Sequence, residues 1–335
     1  MSNKVFSLAL VGAGGIAYKW VKAISKVKNC SLRLVVDVDI NKAELLSKNY
    51  KNCEHTDKLN DVLSRLDIDA VIVAVPNSIS AKISREIIKS GKHVLCEKPG
   101  AVNSKELKSI ILEAKKYKKN FMVGFNHRFH PAFLQAKEIF DKGEIGEAMF
   151  INSRYGFGGR ENYNKEWRFN KKISGGGEII DQGVHMIDMA RLFLGEFNEV
   201  KAYTPNLFWG GNVEDNGFIL LKTIKKQIAA IHVSWTNWKW IHSFEIMGTL
   251  GYLRIDGLDQ RYNGPEKLTI GYRDLLFKKS PQEKVIIFKN EKPEDSFTRQ
   301  LKEFLSAISE DRNSVPDSRD AYEVLKIVDK IYEKK

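Results

Sequence analysis

The chain has 335 residues, 43% of them hydrophobic, and 54 Lys and Arg against 42 Asp and Glu give a formal net charge of +12. That length can bury the cores of two domains, while the absence of any apolar run near the ~20 residues of a membrane span argues against a membrane protein. No cleavage-like site follows the N-terminal apolar stretch, which runs straight into glycines, so it does not read as a signal peptide. The positive charge is either lysine-rich surface, as in KKYKKN at 115–120, or steering of an anionic ligand such as a dinucleotide or a nucleotide-linked sugar. No helix-turn-helix, RNA-binding sheet signature or aromatic-basic interleaving points to nucleic acid. Cys30, Cys53 and Cys96 lack the paired spacing of a zinc site or disulfide framework, which fits a cytoplasmic protein with reduced thiols.

In chain order, FSLALVGAG (6–14), LRLVVDVD (32–39), DAVIVAVP (69–76), HVLCEKP (93–99) and NFMVGFN (120–126) read as strands buried on both faces. Between them, segments such as ISREIIKSG and SKELKSIILEAKKYKK carry apolar residues at helical spacing; Gly91 stops one helix and Ser104 can cap the next. Regular alternation of strand and helix predicts an α/β fold with a doubly wound parallel sheet, assigned to residues 1–123. From 124 to 335 the rhythm changes. GEAMFINSRYGFG, EVKAYTPNLFW, NGFILLKTI, KQIAAIHVSWT, HSFEIMGT and GYLRIDGL are strand-like, with KKQ and GTLG as hairpin turns. Helices are expected at 131–142, 181–194, 296–310 and 318–333. The second domain is therefore predicted to be α+β, with a large, mainly antiparallel open sheet. Its uncovered face, with Trp235, Trp238 and Trp240 nearby, would expose enough apolar area to suggest a subunit interface.

Gly12-Ala13-Gly14-Gly15-Ile16-Ala17 lies between the first strand and first helix, where a dinucleotide fingerprint belongs. The first glycine allows the tight turn, the second lets backbone approach a pyrophosphate, and a small third residue lets helix meet strand. The phosphate then sits on free amides at the helix N-terminus. Asp37 ends the second strand 20 residues after Ala17, placed to accept the adenosine ribose hydroxyls and so to favour NAD. A 2′-phosphate about 4 Å from it would be repelled by roughly 4 kcal/mol at an effective dielectric of 20. NAD is therefore preferred over NADP, although Lys42 nearby can soften that discrimination; Asp39 or Asn41 caps the next helix.

Two further groups can carry chemistry. Lys98, in Glu97-Lys98-Pro99, stands where a buried strand ends at the carboxyl edge of the sheet; taken alone, that tripeptide is equally an ordinary polar strand end. In SGGGEIIDQGVHMIDMARLFLG (174–195), Asp181 and His185 share one face of a helix running from about residue 180. Imidazole with an orienting carboxylate makes an acid/base pair; the alternatives are a core histidine and a helix-capping aspartate. Nothing nearby completes a metal site.

In combination, GAGGIA at 12–17, Asp37, VPN at 75–77, EKP at 97–99, GFNHRFHP at 124–131, the GGG-x-x-x-D-x-x-x-H run ending at His185, and VED at 213–215 resemble the glucose-fructose oxidoreductase, inositol dehydrogenase and MocA family (Gfo/Idh/MocA) across nearly the whole chain. The resemblance implies a Rossmann domain joined to an α/β domain with an open sheet, and a homodimer or homotetramer built through that sheet. It implies that Lys98, Asp181 and His185 line the reaction centre and that the Lys98-Pro99 peptide is cis. Pro76, Asn77 and Glu97 are implied cofactor contacts, with turn chemistry as their other reading. Asn126 and Arg128 are placed at the nicotinamide or substrate, against a structural salt bridge. Trp167 and Arg168 are candidates to stack on and hydrogen-bond a polyol, against a packed surface loop.

The expected activity is hydride transfer between NAD and a secondary hydroxyl or keto carbon of a sugar or nucleotide-sugar, with His185 as base, Asp181 assisting and Lys98 polarising the substrate oxygen. The similarity of residues 232–258 to surface-sugar biosynthesis members favours a biosynthetic role. The rivals are an NADP-linked sugar or polyol reductase and a non-catalytic dinucleotide-sensing regulator. Which sugar, which carbon and which direction stay open at this point.

Overall fold

The computed structural model describes residues 4–258, 260, 262 and 264–333. They form two compact units, one running to Asn126 and including Glu294–Lys326, the other comprising His127–Pro293 and the chain from Ile327.

In the first unit, β1 (Phe6–Val11), β2 (Cys30–Val36), β3 (Glu54–Thr56), β4 (Ala70–Val73), β5 (His93–Glu97) and β6 (Phe121–Gly124) pair in the order β3-β2-β1-β4-β5-β6. Every pairing is parallel. The helices α1 (Ala17–Ser25), α2 (Ile40–Ser47), α3 (Leu59–Ser64), α4 (Asn77–Lys89) and α5 (Ser104–Lys116) make the crossovers. β4 and β6 are buried at every position, because helices cover both faces of the sheet and turn each strand into a continuous apolar run. β3 was not expected from the sequence: its three residues, EHT, are largely exposed and show no apolar pattern.

In the second unit, α6 (Pro131–Asp141) and β7 (Ala148–Gly156) precede a short α7 (Lys171–Ser174), and a π-helical turn (Ile179–Gly183) leads into α8 (Val184–Leu194). Then come β8 (Phe197–Tyr203), β9 (Asn216–Thr223), β10 (Ile228–Ser234), β11 (Ile241–Gly248), β12 (Gly251–Asp256), β13 (Glu266–Tyr272) and β14 (Gln282–Phe288). They form an eight-stranded sheet, β14-β13-β12-β11-β7-β10-β9-β8, antiparallel except for the pair β7 and β10. The expected hairpins at KKQ and GTLG join β9 to β10 and β11 to β12. α6 and α8 pack on one face. The other face is open, and Arg154, Phe218, Leu220, His232 and Glu245 surround a hollow of about 1090 Å³ there. The Phe218 and His232 rings, opposite one another on β9 and β10, stack at 4.2 Å in its lining.

The tryptophans expected beside that open face behave differently from one another. Trp235 is fully buried against the Tyr163 and Phe169 rings, while Trp238 is 63% exposed.

The last two helices, α9 (Asp295–Ser309) and α10 (Ser318–Glu333), follow β14 in the chain, yet α9 and most of α10 belong to the first unit. α9 buries Phe297, Leu301, Phe304 and Leu305, and Phe297 meets Trp20 of α1 edge-on at 5.0 Å. Lys26 bridges Glu294 at 2.9 Å and Asp295 at 2.7 Å. The sequence-based boundary at 123/124 thus falls three residues before the break, and it assigned α9 to the other domain. An apolar stripe states that a helix buries one face, but not against which sheet.

Candidate functional site

The carboxyl edge of the parallel sheet gathers the cofactor candidates of the first unit. Gly12 follows β1 with φ +99°, and a side chain there would collide with the Ala74 carbonyl at the end of β4. Only glycine satisfies both conditions. Gly14 and Gly15 face open space, Ile16 is the N-cap of α1, and the fully buried Ala17 starts the helix. The first turn of α1 has no acidic residue, so nothing there repels an anion. These features fit a bound pyrophosphate.

The Asp37 carboxylate accepts the Ala13 amide at 2.7 Å and the Asp39 amide at 2.9 Å. Four lone-pair sites leave capacity for ribose hydroxyls. Asp39 is the N-cap of α2 and pairs with Lys42 at 3.2 Å. That pairing occupies the lysine that the sequence offered to a 2′-phosphate. Pro76 caps α4, whose first residue is the buried Asn77.

Glu97 accepts the Trp20 indole N–H at 2.7 Å. Burial lifts its carboxyl above the usual range, outweighing the pull of Lys98 and Trp20. Lys98 comes directly after β5, half-buried, and the Lys98-Pro99 peptide is cis. Asn126 donates to Ser296 Oγ at 3.1 Å, tying the end of β6 to the start of α9. Burial pushes the Cys96 thiol up to about 12, so this neighbour of Glu97 is packing and not a nucleophile.

Lys98 belongs to the first unit, Asp181 and His185 to the second. The expected α-helix from about residue 180 opens instead with a π turn that carries Asp181, and His185 sits in the first turn of α8. The glycine run and the VED motif account for this. A side chain on Gly177 would collide with the Glu214 backbone, and one on Gly176 with the Tyr332 hydroxyl. Glu214 accepts the Gly177 amide at 3.1 Å, the Ile179 amide at 3.3 Å and the Tyr332 hydroxyl at 2.6 Å. Its neighbour Asp215 accepts the Leu207, Phe208 and Trp209 amides at 2.8–3.0 Å, tying down the loop between β8 and β9. Although burial opposes it, those donors hold the Asp215 carboxyl below the ordinary range.

Asp181 is paired with Arg168 Nε at 3.3 Å, and the Arg168 guanidinium lies 4.7 Å over the half-buried Trp167 ring. Burial works against the Arg168 charge, but Asp181 and Glu166 outweigh it and raise its pKa. Trp167, Arg168 and Asp181 therefore form one connected group. Arg128 makes a two-pronged bond to Asp188, Nε–Oδ2 2.7 Å and Nη2–Oδ1 2.6 Å, with both side chains buried. The structural salt bridge weighed for Arg128 is the arrangement observed.

Two residues were missed. Tyr163 is 1% exposed, and burial, with Asp181 and Glu178 nearby, drives its pKa upward. It lies four residues before Trp167 in the stretch already singled out. His127, between the two chosen residues Asn126 and Arg128, stacks on His185 with ring centroids 3.9 Å apart. A histidine inside GFNHRF was the available signal.

Residues 6–125 match the family model described as an oxidoreductase family, NAD-binding Rossmann fold, and residues 133–254 match the GFO/IDH/MocA C-terminal domain. The uncharacterized oxidoreductase YrbE of Bacillus subtilis (strain 168) is 26% identical over 91% of this chain and 87% of its own length. Levoglucosan dehydrogenase of Pseudarthrobacter phenanthrenivorans is 36% identical over 51% of this chain, an alignment spanning 44% of that relative. A solved structure of a levoglucosan dehydrogenase with NADH and levoglucosan superposes with a TM-score of 0.88 at 22% identity, covering 98% of this chain and 96% of that one.

Proposed function

Because the chain belongs to the GFO/IDH/MocA oxidoreductase family, whose first domain is an NAD-binding Rossmann fold, we propose that it transfers hydride between NAD and a secondary hydroxyl or keto carbon of a sugar or nucleotide-sugar. The observation that carries this reading is the joint presence of an open glycine turn beside Asp37 and of Lys98, Asp181 and His185, a trio that a pure dinucleotide sensor does not need. NAD, when bound, supplies the hydride acceptor; Gly12, Gly14, Gly15, Ile16, Ala17 and Asp37 hold its pyrophosphate and adenosine ribose, with Pro76, Asn77, Glu97 and Asn126 as further contacts.

In the oxidising direction the substrate C–H bond breaks with its electron pair and the O–H proton leaves, so that a carbonyl forms. His185 takes that proton, Asp181 is held by Arg168 to assist it, and Lys98 donates to the substrate oxygen as negative charge grows there. Trp167 and Arg168 offer a ring face and a charged donor to a polyol. Arg128, engaged with Asp188 through Nε and Nη2, ties its turn to α8.

The test is turnover of polyols, free sugars, glycosides including levoglucosan, and UDP-sugars with NAD and with NADP. His185→Asn should lower kcat by roughly 100-fold to 10,000-fold while leaving NADH binding, read by fluorescence, unchanged. Unchanged turnover in that variant overturns the assignment of the base. Binding of NAD with no turnover across the panel favours the sensor.

We further read the open sheet face as the site of self-association with a second copy, forming a homodimer or homotetramer; its support is the apolar and aromatic lining around Phe218 and Leu220. Among the described residues no helix is long and apolar enough to cross a membrane. The cytoplasm fits three unpaired cysteines.

A further inference from the structure

His127 and His185 lie face to face, ring centroids 3.9 Å apart and planes inclined by 7°, and they are 3% and 4% exposed. The turn Asn126–Phe129 that carries His127 is held to α8 by the buried Arg128–Asp188 pair, and Asp188 is three residues beyond His185 on that helix. Edge-on rings enclose His127: His130 at 5.6 Å, Tyr155 of β7 at 5.3 Å and His242 of β11 at 5.8 Å. His130 Nδ1 is in turn 2.9 Å from Glu266 of β13, whose other oxygen accepts the Ala132 amide at 2.7 Å. The ionisable groups that face the pair are therefore Tyr155, His242 and His130 with Glu266 around His127, and Asp188 with Arg128 at the clamp, while Asp181, paired with Arg168, lies four residues before His185 in the chain.

We propose that His127 is a positioning residue for His185, and that the stacked pair is a single coupled proton site. The stack fixes the plane in which the His185 ring presents its nitrogens. Two imidazolium rings at this separation repel, so a proton arriving on one ring lowers the affinity of the other and the pair titrates jointly. The catalytic value of this device rests on His185 being the base, but the coupling itself is measured without substrate.

The experiment is a pH titration of the full chain labelled with 15N-histidine, followed by NMR, with the His185 signal assigned by its loss in His185→Asn. In the wild type, His185 should titrate over a broader range than one independent group, together with His127. In His127→Phe, which keeps a flat ring in the stack without a titrating group, His185 should give a one-step curve with its midpoint moved by about 0.5 pH unit or more. A wild-type His185 that follows a one-group curve, or that never titrates between pH 4.5 and 9, overturns the proposal, as does a curve unchanged by His127→Phe. With a turnover substrate in hand, His127→Asn should lower kcat at least 10-fold with KM within 2-fold, and His127→Phe should recover most of the loss. Failure of His185→Asn to lower turnover removes the catalytic reading but leaves the NMR result standing.

Discussion

Glu97 illustrates how one residue of the motif with Lys98 and Pro99 couples packing to charge. Its carboxyl accepts the Trp20 indole and is held above its ordinary range by burial. A raised carboxyl pKa means the folded chain keeps the proton at a pH where the unfolded chain, near 4.3, has lost it. Stability from this group therefore falls as pH climbs from about 4.3 towards the folded value. Glu97→Gln keeps an acceptor for Trp20 and removes the titration, so its melting temperature should gain on the wild type between pH 4.5 and 7. Equal pH slopes in thermal melts of the two proteins would contradict this. Arg128 and His127 show where residue-level reading stops: the family resemblance marks GFNHRF as a segment of interest, but only the positions of Asp188 and His185 reveal that one side chain clamps and its neighbour stacks.

The element that matters most is the π turn leading into α8. Spacing alone places Asp181 and His185 on one α-helix, whereas Asp181 lies in the π turn and His185 in the first turn of α8. The winding follows from long-range contacts: Gly176 and Gly177 let the backbone press on Glu214 and Tyr332, and Glu214 captures two amides of this segment. Glu214→Ala removes an acceptor from two backbone N–H groups and a hydroxyl, at about 1 kcal/mol or more each. Urea denaturation should show a loss of roughly 2–4 kcal/mol, and the proposed dehydrogenase activity should fall with it. A loss below about 1 kcal/mol would mean that these bonds do not hold the turn.

At the level of the whole molecule, the open face of the eight-stranded sheet carries a hollow of about 1090 Å³ with exposed apolar residues in its lining. Leu220 is 52% exposed there beside Phe218 and His232. If a second copy covers this face, Leu220→Glu should convert the oligomer to a monomer in light scattering after size exclusion, with the far-UV spectrum retained; an unchanged mass would place self-association elsewhere. The same scale explains what the sequence concealed. β13 and β14 were not anticipated, and β14, at the sheet edge, is almost entirely exposed, so its KVII segment lacks a clean alternation of buried and exposed positions. The parallel sheet was legible because strands covered on both faces must be apolar throughout, which a single sequence displays directly.

Local order in the chain was enough to specify two kinds of sheet, a dinucleotide turn with its carboxylate, and the lysine, aspartate and histidine candidates, because periodicity, glycine requirements and short motifs are properties of neighbouring residues. The allegiance of α9, the widened turn under Asp181, the capture of Arg128 by Asp188 and the stacking of His127 on His185 depend on residues dozens to hundreds of positions apart. Such pairings leave no periodic trace. They arise when burial forces each polar group to find a partner, and only the folded chain sets which partner is within reach.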